Sequence, residues 1–125
     1  MRWVVDGMNV IGSRPDGWWR DRRRAMVDLV GRLEAWAEAT GEQVTVVFEG
    51  RSAGRIESER VGVVHAPRTG RNAADDEIVR RLAADSQPES VRVVTSDRVL
   101  AERVRALGGE VEPASRFRAV IDPVG

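Results

Sequence analysis

The chain has 125 residues, with 20 basic and 20 acidic side chains in balance, one histidine and no cysteine. That length suits a single domain spanning 1–125 with a core of its own, and 42% hydrophobic with 32% charged residues excludes a disordered chain. The missing cysteines exclude a disulfide framework and thiolate metal sites.

Taken in chain order, Arg2–Asp6 reads as a short buried strand ended by the turn-forming Asp6-Gly7 pair. Gly12–Gly17 should be a loop. From about Asp21 to Thr40, Met26, Leu29, Val30, Leu33, Trp36 and Ala37 recur at helical spacing, and Gly41 closes that helix. Val44–Phe48 is a β-branched run and predicts a second strand, with Glu49-Gly50 at its exit. Arg51–Arg60 is polar and predicts an exposed loop, and Val61–His65 a short third strand.

Asn72 is placed as the N-cap of a helix from about Ala73 to Ala84, with Ile78, Val79 and Leu82 facing inward. Val91–Thr95 predicts a fourth strand. Ser96 or Asp97 opens a helix that runs to Leu107 and stops at Gly108-Gly109, and Glu110–Glu112 predicts a last strand. The chain ends soon after it, leaving no extra helix. No apolar run approaches the roughly 20 residues of a membrane span. Met1-Arg2-Trp3-Val4-Val5-Asp6 reaches an acid too soon for a signal-peptide core. The expected location is the cytoplasm, with no membrane partner.

Strands alternating with helices predict a three-layer α/β fold, with a central, mainly parallel sheet of about five strands between helices. Right-handed crossovers then bring all strand C-termini to one edge, where ligands bind in such folds. Acids stand at four of those junctions: Asp6, Glu49, the pair Asp75-Asp76, and Asp97. Each has a plain structural explanation. Asp6 suits a tight turn, Asp75 and Asp76 suit a helix dipole worth about 0.3–1 kcal/mol, and Ser96 or Asp97 suits an N-cap. Together they suggest a hard divalent cation, since clustered carboxylates repel one another unless a cation neutralises them. Asp75 shares a face with Ile78, Val79 and Leu82 and is the better ligand, with Asp76 as neighbour or second ligand. Asn9 is placed to orient a carboxylate or a water.

Other chemistries lack their residues. Neither GxGxxG nor GxxxxGK[ST] occurs, and the chain has no lysine: all 20 cations are arginine. The plain reading of that number is codon bias in a GC-rich genome, so placement is the more informative property. His65 has no GxSxG partner and reads as a strand residue. Asp6-Gly7-Met8 is not the Asp-x-Asp of a haloacid-dehalogenase-type phosphatase.

Val4-Val5-Asp6-Gly7-Met8-Asn9-Val10-Ile11-Gly12, Val46-Val47-Phe48-Glu49-Gly50, Ala74-Asp75-Asp76-Glu77-Ile78 and Val94-Thr95-Ser96-Asp97 resemble, in this order, the motifs of YacP-like NYN domains. These belong to the PIN-like metal-dependent nucleases. The resemblance runs over nearly the whole chain. It implies a Rossmann-like sheet, Mg²⁺ or Mn²⁺ at clustered acids, and hydrolysis of single-stranded RNA, messenger RNA in relatives and in some cases at the ribosome. By position, Asp6, Asn9, Asp75 and Asp97 resemble the family's catalytic set, with Asp6, Asp75, Asp76 and Asp97 around the metal. Glu49 departs from the aspartate expected after the second strand, and is the weaker match.

The implied chemistry is attack of a metal-activated water on a phosphodiester, with no side-chain nucleophile. Acids repel phosphate, so cations must offset them. Arg68 and Arg71 precede the Asp75 helix, while Trp19, Arg20 and Arg23 interleave an aromatic with guanidiniums before the first long helix, suiting base stacking. The plainer reading of that second segment is a packed tryptophan beside a solvated arginine face. Two alternatives share the fold: an RNA-binding or ribosome-associated module with little catalysis, and a small-molecule phosphohydrolase.

Overall fold

In a computed structural model of the protein, residues 1–49, 55–67, 70 and 72–122 are described. The elements in order are β1 (Arg2–Asp6), α1 (Gly7–Ile11), α2 (Arg22–Thr40), β2 (Gln43–Phe48), β3 (Gly62–His65), α3 (Ala73–Ala83), β4 (Val91–Val94), α4 (Arg98–Ala106), β5 (Glu110–Glu112) and α5 (Ala114–Ile121). Single 3-10 turns cover Trp18–Arg20 and Pro88–Ser90.

The five strands form one sheet in the order β3-β2-β1-β4-β5, and every pairing in it is parallel. The chain builds outward from β1 on one side, then crosses back through α3 to add β4 and β5 on the other. Strand order therefore reverses between β1 and β4, and a crevice opens beyond their C-terminal ends.

Strand alternation divides the core into two layers. Val44, Val46 and Phe48 of β2, with Val5 and Val94, face α1, α2 and α5. Val47, Val91 and Val93 face Ile78 and Leu82 of α3 and Leu100 and Val104 of α4. Asp6 has the parity of Val4, a residue of the second layer, so β1 directs it toward the side that α3 occupies.

Two differences from the sequence reading have physical reasons. The Asp6-Gly7 pair starts α1 rather than a simple turn; five residues are too few to show a helical period. A Cβ on Gly7 would stand 2.5 Å from the Phe48 ring, so a glycine there lets α1 lie directly on β2. A helix, α5, does follow the last strand, against the expectation that none would. Its Ala114, Phe117 and Ile121 are buried at helical spacing, and Phe117 stacks on Trp3 at 5.4 Å and meets Trp36 edge-on at 5.2 Å. Asn72 occupies the N-cap position of α3 as expected, although its side chain makes no capping hydrogen bond.

Candidate metal centre and nucleic-acid interface

Asp6 ends β1 and is 6% exposed. Its Oδ2 accepts a hydrogen bond from Thr95 Oγ1 at 3.0 Å, and Oδ1 has no partner among the described residues. Burial pushes its carboxyl up to about 7, opposed by the Thr95 bond and reinforced by the charges of Asp75, Asp97 and Glu49. Asp75, in the first turn of α3, is pushed up to about 6 by burial and then by Asp97, with Arg103 pulling the other way. Four carboxylates from four elements thus share one field beyond β1 and β4.

Asp97 is the N-cap of α4: its Oδ1 accepts from Leu100 N at 2.9 Å, so the choice between Ser96 and Asp97 falls on Asp97. Thr95 Oγ1, besides donating to Asp6, accepts from Asp97 N at 3.1 Å. One buried hydroxyl therefore ties the ends of β1 and β4 together. Sequence reasoning passed over Thr95; the signal was a hydroxyl residue between a strand's last apolar position and a carboxylate.

Asn9 lies one turn into α1, where its Oδ1 accepts from Ser96 N at 2.8 Å. Its oxygen is spent on β4, so its Nδ2 is the group left to donate to a ligand. Ser96 Oγ in turn accepts from Ala114 N at 2.9 Å, which fixes the start of α5 to the same edge.

The other expected residues divide. Asp76 is exposed and pairs with Arg103 of α4 at 3.2 Å, while adding its charge to the field at Asp75. Glu77, beside it, turns away and is buried against Arg80 and Arg81. Glu49 is half-buried and contributes charge. Trp19 is 53% exposed and meets Trp18 edge-on at 5.9 Å, while Trp18 packs on the core beneath Arg22. Arg20 and Arg23 are exposed at the same corner. Arg68 and Arg71 lie outside the described residues. His65 is in β3 as expected; its Nε2 accepts from Ile56 N at 3.4 Å, and burial, then Arg55 and Arg23, lowers its pKa.

The donors at this edge are hard carboxylate oxygens, whose chemistry fits Mg²⁺ or Mn²⁺ and whose mutual repulsion a cation would relieve. As placed, no three acidic or histidine side chains among the described residues converge closely enough to hold an ion between them. Mg²⁺ retains several waters and takes one or two carboxylates, so a site with few direct protein ligands suits its chemistry.

No described helix is long and apolar enough to cross a membrane. The YacP-like NYN domain family matches residues 3–124. Two solved structures of Rae1 (YacP) from Bacillus subtilis are similar at 24% identity. The W164L mutant has a TM-score of 0.77, with 96% of this chain and 76% of that chain covered. For the other structure the TM-score is 0.75, with 97% and 75% covered. Comparison with curated protein sequences gives no match.

Proposed function

The chain belongs to the YacP-like NYN domain family, and from that premise we propose that it is a metal-dependent endoribonuclease that hydrolyses phosphodiester bonds in single-stranded RNA. The observation that carries this reading is Asp6: a buried carboxylate pushed up to about 7 in the field of Asp75, Asp97 and Glu49, at the crevice where an α/β sheet binds its ligand. A structural ion pair would have put a cation there. Among the described residues no guanidinium is bonded to Asp6.

Asp6 and Asp75 would hold Mg²⁺ or Mn²⁺, with Asp97 and Glu49 acting through bound water. The ion, when bound, polarises the scissile phosphate and lowers the pKa of a water. Thr95 fixes the rotamer of Asp6 and leaves Oδ1 for the ion. Asn9, anchored through its oxygen, presents Nδ2 to a phosphate oxygen or to the leaving 3′-oxygen. Trp19 offers a ring face for a base, a contact worth about 1–3 kcal/mol that tolerates any sequence. Arg20, Arg23, Arg68 and Arg71 would hold the strand's phosphates. Asp76 would join the metal only by giving up Arg103. Messenger RNA as substrate, at the ribosome or away from it, rests on the resemblance to NYN relatives, as does the cytoplasm as its place of action.

The test is cleavage of single-stranded RNA and DNA with Mn²⁺, wild type against Asp75→Asn. RNA cleavage that EDTA stops and Asp75→Asn lowers at least about 100-fold is expected. Activity that persists in EDTA or in the variant would sink the reading. Among the described residues no three acids converge as placed, and Asp76 pairs with Arg103 instead; these favour one alternative, an RNA-binding module with little catalysis. Undiminished RNA binding with no cleavage at any Mn²⁺ concentration would select it.

A further inference from the structure

The acids at the β1/β4 edge repel a phosphate backbone, so a strand reaching them needs an anchor elsewhere on that edge. A cleft of about 300 Å³ lies there, lined by Trp18 and Arg20 of the 3-10 turn, Arg24, Asp28 and Arg32 of α2, and Arg118 of α5. Because β1 and β2 are parallel, the connection between them starts α2 at the C-terminal edge of the sheet, on the face opposite the one that α3 covers. Ile11 at the end of α1 also lines the cleft, and α1 begins next to Asp6. A five-residue helix is about 7–8 Å long, so the cleft opens a short reach from the carboxylates.

The charges in this cleft are unevenly matched. Arg32, Arg118 and Arg14 all converge on one carboxylate, Asp122, from separate segments. Burial pushes Asp122 up, but these three guanidiniums outweigh it and hold the carboxyl below its ordinary range. Arg118 is fixed further by Val10 O at 3.3 Å and Asp16 Oδ2 at 3.5 Å. Of the acids lining the cleft, Asp21 is spent capping α2 through Arg24 N, and Asp16 accepts from Trp18 N and Arg118. Arg20 and Arg24 have no ion pair among the described residues and stand on the rim. A guanidinium rim, a second row of arginines held rigid below it and a tryptophan wall suit a phosphate with its attached nucleoside.

We propose that the cleft between the 3-10 turn, α2 and α5 binds a phosphate group of the nucleic-acid strand, as an anchor separate from the acidic centre. That the phosphate is carried by single-stranded RNA rests on the ribonuclease reading. Arg20 and Arg24 make the outer contacts, and Arg118 and Arg32 supply the fixed field behind them. Asp28, an exposed carboxylate of the lining, repels a phosphate placed next to it and so favours the Arg20–Arg24 side.

The test measures binding of 3′-fluorescein-labelled single-stranded RNA by anisotropy in EDTA, where no cleavage interferes. Arg24→Gln is expected to weaken binding about fivefold and to lower the slope of log Kd against log salt by about 0.7, the value of one phosphate on a single strand. Arg105→Gln, at the far end of α4, serves as the control and should change affinity by less than about twofold. Equal losses in the two variants, or none in Arg24→Gln with an unchanged melting temperature, would overturn the proposal. RNA with a 5′-monophosphate against RNA with a 5′-hydroxyl separates the two sources: loss of the Arg24 effect with 5′-hydroxyl RNA assigns a terminal phosphate, and its persistence an internal one. A wild type that cleaves RNA while Arg24→Gln binds normally sinks the cleft and leaves the nuclease standing. Arg24-dependent binding without cleavage does the reverse.

Discussion

At the residue scale, Asp97 does two things that substitution can separate. Asparagine caps a helix about as well as aspartate, whereas alanine loses about 1 kcal/mol. Asp97→Asn should therefore abolish cleavage at an unchanged or higher melting temperature, because it relieves repulsion with Asp6 and Asp75 while keeping the bond to Leu100 N. Asp97→Ala should lose cleavage and also melt earlier; equal melting of the two variants would contradict the capping role. Asp6 gives a pH dependence. Its carboxyl titrates near 3.8 in the unfolded chain and about 7 in the fold, so between those values the folded protein holds a proton that the unfolded chain has lost. Stability of the metal-free protein must then fall as pH rises through that window. Calorimetry without metal should find the drop in Tm from pH 5 to pH 7.5 smaller by about 5 °C in Asp6→Asn than in wild type. Parallel curves would show that Asp6 is not perturbed.

At the element scale, α1 and α5 are the two helices that the sequence reading did not place, and both bear on the site. α1 carries Asn9 and depends on Gly7 lying against Phe48, with the ring 2.5 Å from where a Cβ would stand. Phe48 is fully buried and has no room to retreat. Gly7→Ala is expected to cost about 1–3 kcal/mol by overpacking and to lower activity through Asn9. A variant as stable as wild type would refute the close approach. α5 is joined to the rest by Asp122 and by the aromatic contact of Phe117 with Trp3 and Trp36. Its apolar positions Ala114, Phe117 and Ile121 were legible in principle, since they repeat at helical spacing. α2 was legible almost to the residue because Asp21 and Gly41 bound a long periodic stretch; Asp21 accepts from Arg24 N, and Gly41 takes the left-handed conformation that ends the helix.

At the scale of the whole molecule, a ligand that binds only the folded state stabilises it, by about 2.7 kcal/mol at a hundredfold excess over its Kd. Mn²⁺ should accordingly raise the Tm of the wild type by several degrees, and that rise should vanish in Asp6→Asn; an equal rise in both would place the ion elsewhere. The sequence by itself determined the α/β class, the number of strands and the position of each acid at a strand exit or helix start. Those properties are local, set by hydrophobic period, by turn residues and by caps. What only the tertiary structure decided is which acids meet. Strand order put β1 beside β4, and the parity of β1 turned Asp6 toward the face that α3 covers, so that Asp6, Asp75 and Asp97 share a field while Glu77 two residues on is neutralised by its own helix. The same packing gave Asp76 to Arg103 and made Thr95 the link between two strand ends. Adjacent residues diverge and distant ones converge because a side chain's partners depend on strand order and helix packing, which no local period encodes.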